Sequence, residues 1–212
     1  MLVRHHIEIT RQAIGAEVGR RALHSILRAN CAQDGLRYQL GHDHFHFDNN
    51  QFEKSNNYIE EQRALIHPSL ERGDTESAWQ AFGRMIHTVQ DFYAHSDYIP
   101  RWLSRFSGGT PPAPEEVDPV SPDILQDPEL RSGKLYYPVE ALAFIPFLKK
   151  SILPHLPADS HAHMNLDDFD DKGFFDYVFH ASVKRTKIEF EKTMALLPSN
   201  LLPYFTGTHI DT

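Results

Sequence analysis

The stretch from Ala78 to Trp102, AWQAFGRMIHTVQDFYAHSDYIPRW, constrains the fold more than any other part of the chain. Its apolar residues recur at steps of three and four, which is the periodicity of an amphipathic helix. These residues are Trp79, Phe82, Ile86, Val89 and Tyr93. The spacing predicts one helix that stops before Pro100, because proline interrupts a helix interior.

A ladder of polar side chains follows the same predicted helix, since His87, Asp91 and His95 stand four residues apart. Side chains at this spacing lie one above another. At about 1.5 Å of rise per residue, the two histidines are roughly 12 Å apart, too far to share one metal ion with ligands at about 2 Å. The ladder predicts two metal ions about 3.5–4 Å apart, with Asp91 touching one or bridging both. A solvated or hydrogen-bonded helix face is the alternative.

Composition limits the function classes. The 212 residues carry a net charge of -8, with 41% hydrophobic and 24% charged residues, as in an ordinary globular protein. An acidic chain is not expected to bind nucleic acid through a general basic field, although metal cations would attract an anionic substrate locally. The chain has 14 histidines, and its single cysteine, Cys31, excludes an internal disulfide and a cysteine-built zinc site.

The N-terminal segment MLVRHHIEIT lacks the apolar region of a secretory signal, and no stretch of the sequence is apolar enough to cross a membrane. We therefore expect a cytoplasmic chain as written, or a secreted one if the N-terminus is processed or truncated.

The remaining elements are also predicted to be helices, at about 5–30, 51–70, 137–153 and 172–196. With no predicted strands or internal repeats, we expect an all-α, single-domain bundle of about five long helices with its metal cluster in a cleft. Residues 107–130 hold six prolines and are expected either to cover the mouth of the site or to form a disordered insertion. The apolar helix at 137–153 is expected to pack in the core, with peripheral membrane contact as the alternative.

Further candidate ligands lie in two histidine-rich segments. His42, His44 and His46 alternate in GHDHFHFDNNQF, which would place them on one side of an extended segment. Asp48 or Asn49 is expected to cap the following helix. The second segment, SHAHMNLDDFD, carries His161, His163, Asp167 and Asp168. Neutral imidazole is a common zinc ligand, but spacing alone does not select among these residues.

The two motifs HDHFHFDNNQFEKSNNY and HTVQDFYAHS resemble the zinc-dependent phospholipase C family. That family belongs to a superfamily shared with the single-strand-specific zinc nucleases of fungi and plants. Within it, the sequence is most similar to the heterokaryon-incompatibility-C-type proteins and their bacterial counterparts. The resemblance spans about His5 to Asp168 and implies an all-α fold that holds two to three zinc ions.

The resemblance also implies the ligands. An early histidine precedes Ile9-Thr10, so it is His6 or His5, with His6 favoured by spacing, and the Asp-His-Phe context selects His44 from its trio. The full implied set is His6, His5, Asp34, His44, His87, Asp91, His95, His161 and Asp167. Two departures stand out: Met1 replaces an N-terminal Trp ligand, and Asn165 replaces a Glu ligand, which leaves Asp167 or His180 as substitutes.

The implied function is zinc-dependent hydrolysis of a phosphodiester, with a phospholipid head group as the substrate. Asp34 would accept a proton from the attacking water, and Asp91 would hold the metal ions. Manganese or iron would also suit nitrogen and oxygen ligands. One alternative is a nuclease acting on single-stranded nucleic acid, with Tyr93, Tyr98 and Trp102 as stacking platforms. The other is a metal-stabilised interaction protein without turnover.

Overall fold

The computed structural model describes residues 1–39, 41–143, 146–167 and 173–209. Across these ranges the regular elements are helices, with two isolated β-bridges and no strand, so the all-α prediction is confirmed. The α-helices are α1 Val3–Ile14, α2 Arg20–Ala32, α3 Leu36–Gln39, α4 Phe52–Glu71, α5 Thr75–His95, α6 Tyr98–Ser104, α7 Pro122–Leu125, α8 Val139–Ala143, α9 Pro146–Ile152, α10 His161–Met164, α11 Phe175–Leu196 and α12 Leu202–Thr206. None of the described helices is long and apolar enough to cross a membrane.

Helix α5 is the centre of the bundle, packed between α2, α4 and α11. Its N-terminus is capped by Asp74, whose carboxylate accepts a hydrogen bond from the Ser77 amide at 3.0 Å. The prediction of one helix that stops before Pro100 is confirmed, because α5 stops at His95 and Ser96 is extended. Pro100 lies in the first turn of α6, where its missing N–H leaves no helical hydrogen bond unmade.

The predicted helix at 5–30 is two helices, α1 and α2, separated around Gly15 and Gly19. Glycine costs up to about 1 kcal/mol in a helix interior, so two of them within five residues favour a break. The break lets α1 pack on α11 and α2 pack on α5. The close approach of α2 requires Gly83, since a Cβ there would lie 2.4 Å from the Ile26 carbonyl oxygen.

The proline-rich segment 107–130 is neither the expected cover of the site nor an insertion without structure. Val117 is fully buried, and Tyr93 and Tyr98 donate hydrogen bonds to the carbonyls of Pro119 and Asp118 at 2.5 and 2.7 Å. The segment therefore packs against α5 and α6. Tyr93, Tyr98 and Trp102 are all buried, which contradicts their expected role as stacking platforms.

The other boundaries differ in detail. The helix predicted at 51–70 is α4, although Gln51, not Asp48 or Asn49, precedes it as the cap residue. The structure divides 137–153 into α8 and α9, while residues 144–145 and 168–172, including Asp168, lie outside the described residues. Tyr137, Val139 and Leu142 are 41–44% exposed, so the predicted core packing is wrong at these positions.

Glu189 on α11 joins α11 to α4 through two arginines. Its Oε2 accepts a hydrogen bond from Arg63 and its Oε1 accepts one from Arg185, each at 2.7 Å. Only 2% of the Glu189 side chain is exposed. Burial would raise the pKa of this carboxyl, but the Arg185 and Arg63 guanidiniums hold the pKa below its usual value.

We expect Glu189→Gln to destabilise the protein by about 3 kcal/mol at neutral pH, because two largely buried guanidiniums lose their carboxylate. A depressed pKa contributes stability that is present above the unfolded-state pKa and is lost as pH falls through the folded-state pKa. The difference between wild type and variant should therefore shrink below the ordinary glutamate value of 4.5. Urea unfolding at neutral and acid pH measures it, with the exposed Glu191→Gln on the same helix as control. An equal difference in unfolding free energy between wild type and Glu189→Gln at both pH values would contradict the role of the Glu189 ion pairs.

Candidate metal centre

The ladder on α5 faces the interior of the bundle. His87 and Asp91 are fully buried and His95 is 5% exposed, so a solvated helix face is excluded. Asp91 lies at the middle of the ladder, between His87 and His95. Its Oδ1 lies 3.2 Å from His6 Nε2, and its Oδ2 lies 2.8 Å from His46 Nδ1 and 3.1 Å from His87 Nε2. Each carboxylate oxygen thus faces a different set of histidines.

The Met1 amine completes the surroundings of Asp91. It donates a hydrogen bond to Asp91 Oδ1 at 2.9 Å and lies 3.1 Å from His95 Nε2 and 3.3 Å from Asp167 Oδ1. Burial would raise the pKa of Asp91, but the Met1 amine and His87 hold it well below its usual range. Asp91 is therefore ionised at neutral pH, as a metal ligand must be.

Fixed hydrogen bonds orient the histidine rings. The Nδ1 of His6 lies 2.7 Å from Gln90 Oε1, and the Nδ1 of His87 lies 3.2 Å from Asn30 Oδ1. The amide groups of Gln90 and Asn30 are themselves fixed, because both donate to the Thr10 hydroxyl and Asn30 also donates to Gln90 Oε1. Since both oxygens can only accept, each ring carries its proton on Nδ1 and presents Nε2 to Asp91.

A second set of ligand atoms lies beyond His95. Asp48 Oδ1 accepts from His161 Nδ1 at 2.9 Å and lies 3.3 Å from His95 Nδ1, while His95 Nε2 lies 3.3 Å from Asp167 Oδ1. Burial and the Met1 amine lower the pKa of His95, but Asp91 and Asp48 together raise it to about 10. The carboxylates therefore favour a positive charge at this position, supplied by a proton or by a metal ion.

Two groups of residues fit a metal ion, and within each group the ligand atoms lie within 4.8 Å of one another. One group is His6, Asp34, His87 and Asp91, and the other is Asp48, His95 and His161. Tetrahedral zinc ligands at about 2.0–2.1 Å stand roughly 3.3 Å apart, close to the 3.2 Å between His6 Nε2 and Asp91 Oδ1. His6 Nε2 is buried and makes no hydrogen bond within the described part of the chain. The atom that it faces, Asp91 Oδ1, is also an acceptor. The Met1 amine bonds Asp91 Oδ1, whereas a metal ion between the two atoms would give His6 Nε2 a partner.

The trio His42, His44 and His46 differs from expectation. His44 lies outside the cluster, where its ring packs on Phe45 with a centroid distance of 4.5 Å, and His46 lies inside. The segment is not extended, because it forms two short 3-10 turns and the chain reverses at Phe47, which has a φ of 59°. Asp48, expected as a helix cap, is a buried partner of His95 and His161 instead.

The other predicted residues divide between the cluster and the rest of the molecule. Asp34 lies at its edge, 3.9 Å from His6 Nε2. His5, the alternative to His6, packs against the Phe175 ring at 4.4 Å and is not in the cluster. His180, the alternative to Asp167, lies 3.5 Å from Glu115 and is also outside. Asp48, Asn30 and Gln90 are not among the predicted site residues, while His46 is a candidate of its trio that the resemblance does not select.

Gly133 holds the second group of ligand atoms in place. Its amide donates to the His95 carbonyl at 3.0 Å, and its own carbonyl accepts from Asn49 at 2.8 Å. A Cβ on Gly133 would lie 2.6 Å from His161 Cα, so only glycine lets these segments approach.

We expect Gly133→Ala to displace His161, to lower stability by about 2 kcal/mol and to weaken the binding of added zinc. Thermal unfolding and metal analysis measure these effects. Gly108→Ala is the matched control, because a Cβ there meets no atom within 4 Å. Equal behaviour of the two variants would show that the approach at Gly133 is not required.

The cluster opens on a cleft of about 270 Å³. Among its walls are Asp34, Asp43 and Asp167, together with the exposed apolar side chains of Leu2 and Val3. An acidic cleft repels an anionic substrate unless bound cations neutralise it.

Comparison with known proteins gives one partial match. Residues 8–103 match the model of the VWA7 N-terminal domain, a family to which this stretch is therefore similar. The match includes α2, α4 and α5 but ends before His161 and Asp167. Neither the curated proteins nor the solved structures yield a match to this chain.

Proposed function

We propose that this chain is a zinc-dependent phosphodiester hydrolase of the phospholipase C type. The observation that carries the proposal is the environment of Asp91, a fully buried carboxylate with a different histidine Nε2 beside each oxygen, at 3.2 and 3.1 Å. The Met1 amine and His46 Nδ1 bond the two Asp91 oxygens, but the buried His6 Nε2 has no hydrogen-bond partner within the described residues, and a metal ion would supply one. The resemblance of two motifs to the phospholipase C family supports the same proposal.

Each group of ligand atoms would hold one ion. His6, His87, Asp91 and Asp34 would form the first site. In the second, His95 and His161 would bind the ion with Asp167, whose Oδ1 lies 3.3 Å from His95 Nε2, in place of Asp48. Asp48 would orient the His161 ring through Nδ1, and the His46 carbonyl, which accepts from His95 Nδ1 at 2.9 Å, would orient the His95 ring. When bound, zinc supplies a water of lowered pKa and positive charge for the phosphodiester oxygens.

The two carboxylates of the first site would have different tasks. Asp91 stays ionised and would hold the metal ion together with His6 and His87. Burial raises the pKa of Asp34, with only partial compensation from His6, and Asp34 also lines the cleft. Asp34 is therefore the carboxylate suited to accept the proton of the attacking water at Oδ1 or Oδ2.

The walls of the cleft favour a diester with apolar substituents. Leu2, Val3 and Tyr137 are 40–44% exposed at its mouth, where they would contact the interface of a lipid aggregate. The nuclease alternative has less support, since the three expected stacking residues are buried. We therefore propose a phospholipid-like head group as the substrate, with peripheral membrane contact at this rim.

Hydrolysis of bis-p-nitrophenyl phosphate, before and after chelation and zinc restoration, tests the activity. We expect turnover that chelation abolishes and zinc restores. Short-chain phosphatidylcholine should be hydrolysed faster than single-stranded DNA. Zinc binding without turnover of any of these substrates would contradict the enzyme and favour a metal-stabilised interaction protein.

A further inference from the structure

A second cavity, of about 360 Å³, lies on the other side of α5 from the cleft. It shares no lining residue with the cleft, so it is separate from the proposed catalytic site. Its inner walls are Phe47, Phe92 and Val89, all buried, with Phe47 and Phe92 packed edge to face at 5.0 Å. Cavities of this size with mainly apolar walls and few polar groups are typical of small-molecule sites.

The proline-rich segment forms the outer wall. Leu125, Pro128 and Leu130 face the cavity from this segment, while Phe52 and Ile59 face it from α4. The segment thus encloses apolar space against the bundle that its own side chains do not fill. Apolar cavities take up hydrocarbon readily, because water gains few hydrogen bonds there.

One cation lies in the apolar wall. Arg185 lines the cavity and is 24% exposed. It donates through Nε to Glu189, but Glu189 divides its two oxygens between Arg185 and Arg63. One buried carboxylate therefore serves two guanidiniums, and the second partner of Arg63, Glu60, is 59% exposed. Asp127, the acidic residue of the cavity wall, is already bonded to Arg101 at 2.6 Å.

We propose that this cavity binds an amphipathic carboxylate, with its hydrocarbon chain between α4, α5 and the proline-rich segment and its carboxylate at Arg185. The guanidinium bonds Glu189 and the Tyr93 hydroxyl and has further N–H donors beside these, and such donors bind a carboxylate well. At about 30 Å³ for each water-sized group, the cavity holds roughly a dozen heavy atoms. Decanoate is a saturated carboxylate of this size.

Titration calorimetry of the full chain with decanoate and with decanol tests the proposal. Both probes should bind saturably, and decanoate should bind more tightly. Arg185→Gln should weaken decanoate about tenfold and leave decanol unchanged, since only the carboxylate loses a charged partner. Glu189 keeps its bond to Arg63 in this variant.

Leu125→Trp should abolish binding of both probes by filling the mouth of the cavity. Leu65→Trp, at another exposed leucine outside the cavity, should bind like wild type. Absence of saturable decanoate binding to wild type, or wild-type binding by Leu125→Trp, would overturn the proposal. Chelation should leave decanoate binding unchanged. The decanoate proposal can therefore fail or hold independently of the hydrolase proposal.

Discussion

Asp91→Asn is expected to abolish zinc binding at the first site and to lower the affinity of the second. The amide has the shape of the carboxylate but no charge, and it offers one ligand oxygen to a metal ion instead of two. Equilibrium dialysis followed by elemental analysis should give a loss of bound zinc larger than that of any other single substitution. Phosphodiester hydrolysis by Asp91→Asn should also fall to background.

Two controls separate this effect from misfolding. Asp123→Asn removes a carboxylate that is 70% exposed and should retain all zinc. The thermal unfolding midpoint of Asp91→Asn should match that of chelated wild type to within a few degrees, because both lack the metal. A variant that keeps its full zinc content and activity would show that Asp91 is not a ligand of the first site.

Gln90→Leu is expected to destabilise the protein by about 3 kcal/mol and to weaken zinc binding by about 10- to 100-fold. Gln90 is fully buried and serves His6, Asn30, Thr10 and Thr186 through hydrogen bonds of 2.7–3.1 Å. Each buried polar group left without a partner costs about 1–3 kcal/mol. Loss of a ring-orienting partner typically reduces metal affinity by the stated factor.

Nitrogen-15 NMR of the imidazoles distinguishes orientation from general destabilisation. In the wild type, the His6 proton should be on Nδ1, and in Gln90→Leu the tautomer should become mixed. Gln80→Leu, a half-buried glutamine on the same helix, should leave both the tautomer and the zinc affinity unchanged. A His6 ring that keeps its tautomer in Gln90→Leu would contradict the orienting role of the glutamine.

The sequence predicted the parts of the site that lie on a regular element. His87, Asp91 and His95 share a helix face, and helical geometry alone is enough to align them. The exchange of His44 for His46 could not be predicted, because it depends on the left-handed backbone at Phe47 and on two short turns. Alternating side chains share one side only on extended backbone, so alternation was the wrong pattern for a segment that forms turns.

Contacts between distant segments explain the remaining gaps. Gly83 allows α2 to bring Asn30 to His87, and Gly133 allows a loop to bring His161 to His95. The sequence does not reveal that these positions require glycine, because the requirement arises only where two distant backbone segments come into contact. The proline-rich segment was recognised from composition, but its packing on Tyr93 and Tyr98 follows from hydrogen bonds that composition does not encode.

The most direct test of the central claim is an anomalous diffraction map recorded at the zinc absorption edge from crystals of the zinc-loaded chain. We predict peaks beside Asp91, one within ligand distance of His6 Nε2 and His87 Nε2 and another beside His95 and His161. A map with no peak among these side chains, from protein shown to be folded, would contradict the metal centre and the hydrolase proposed from it.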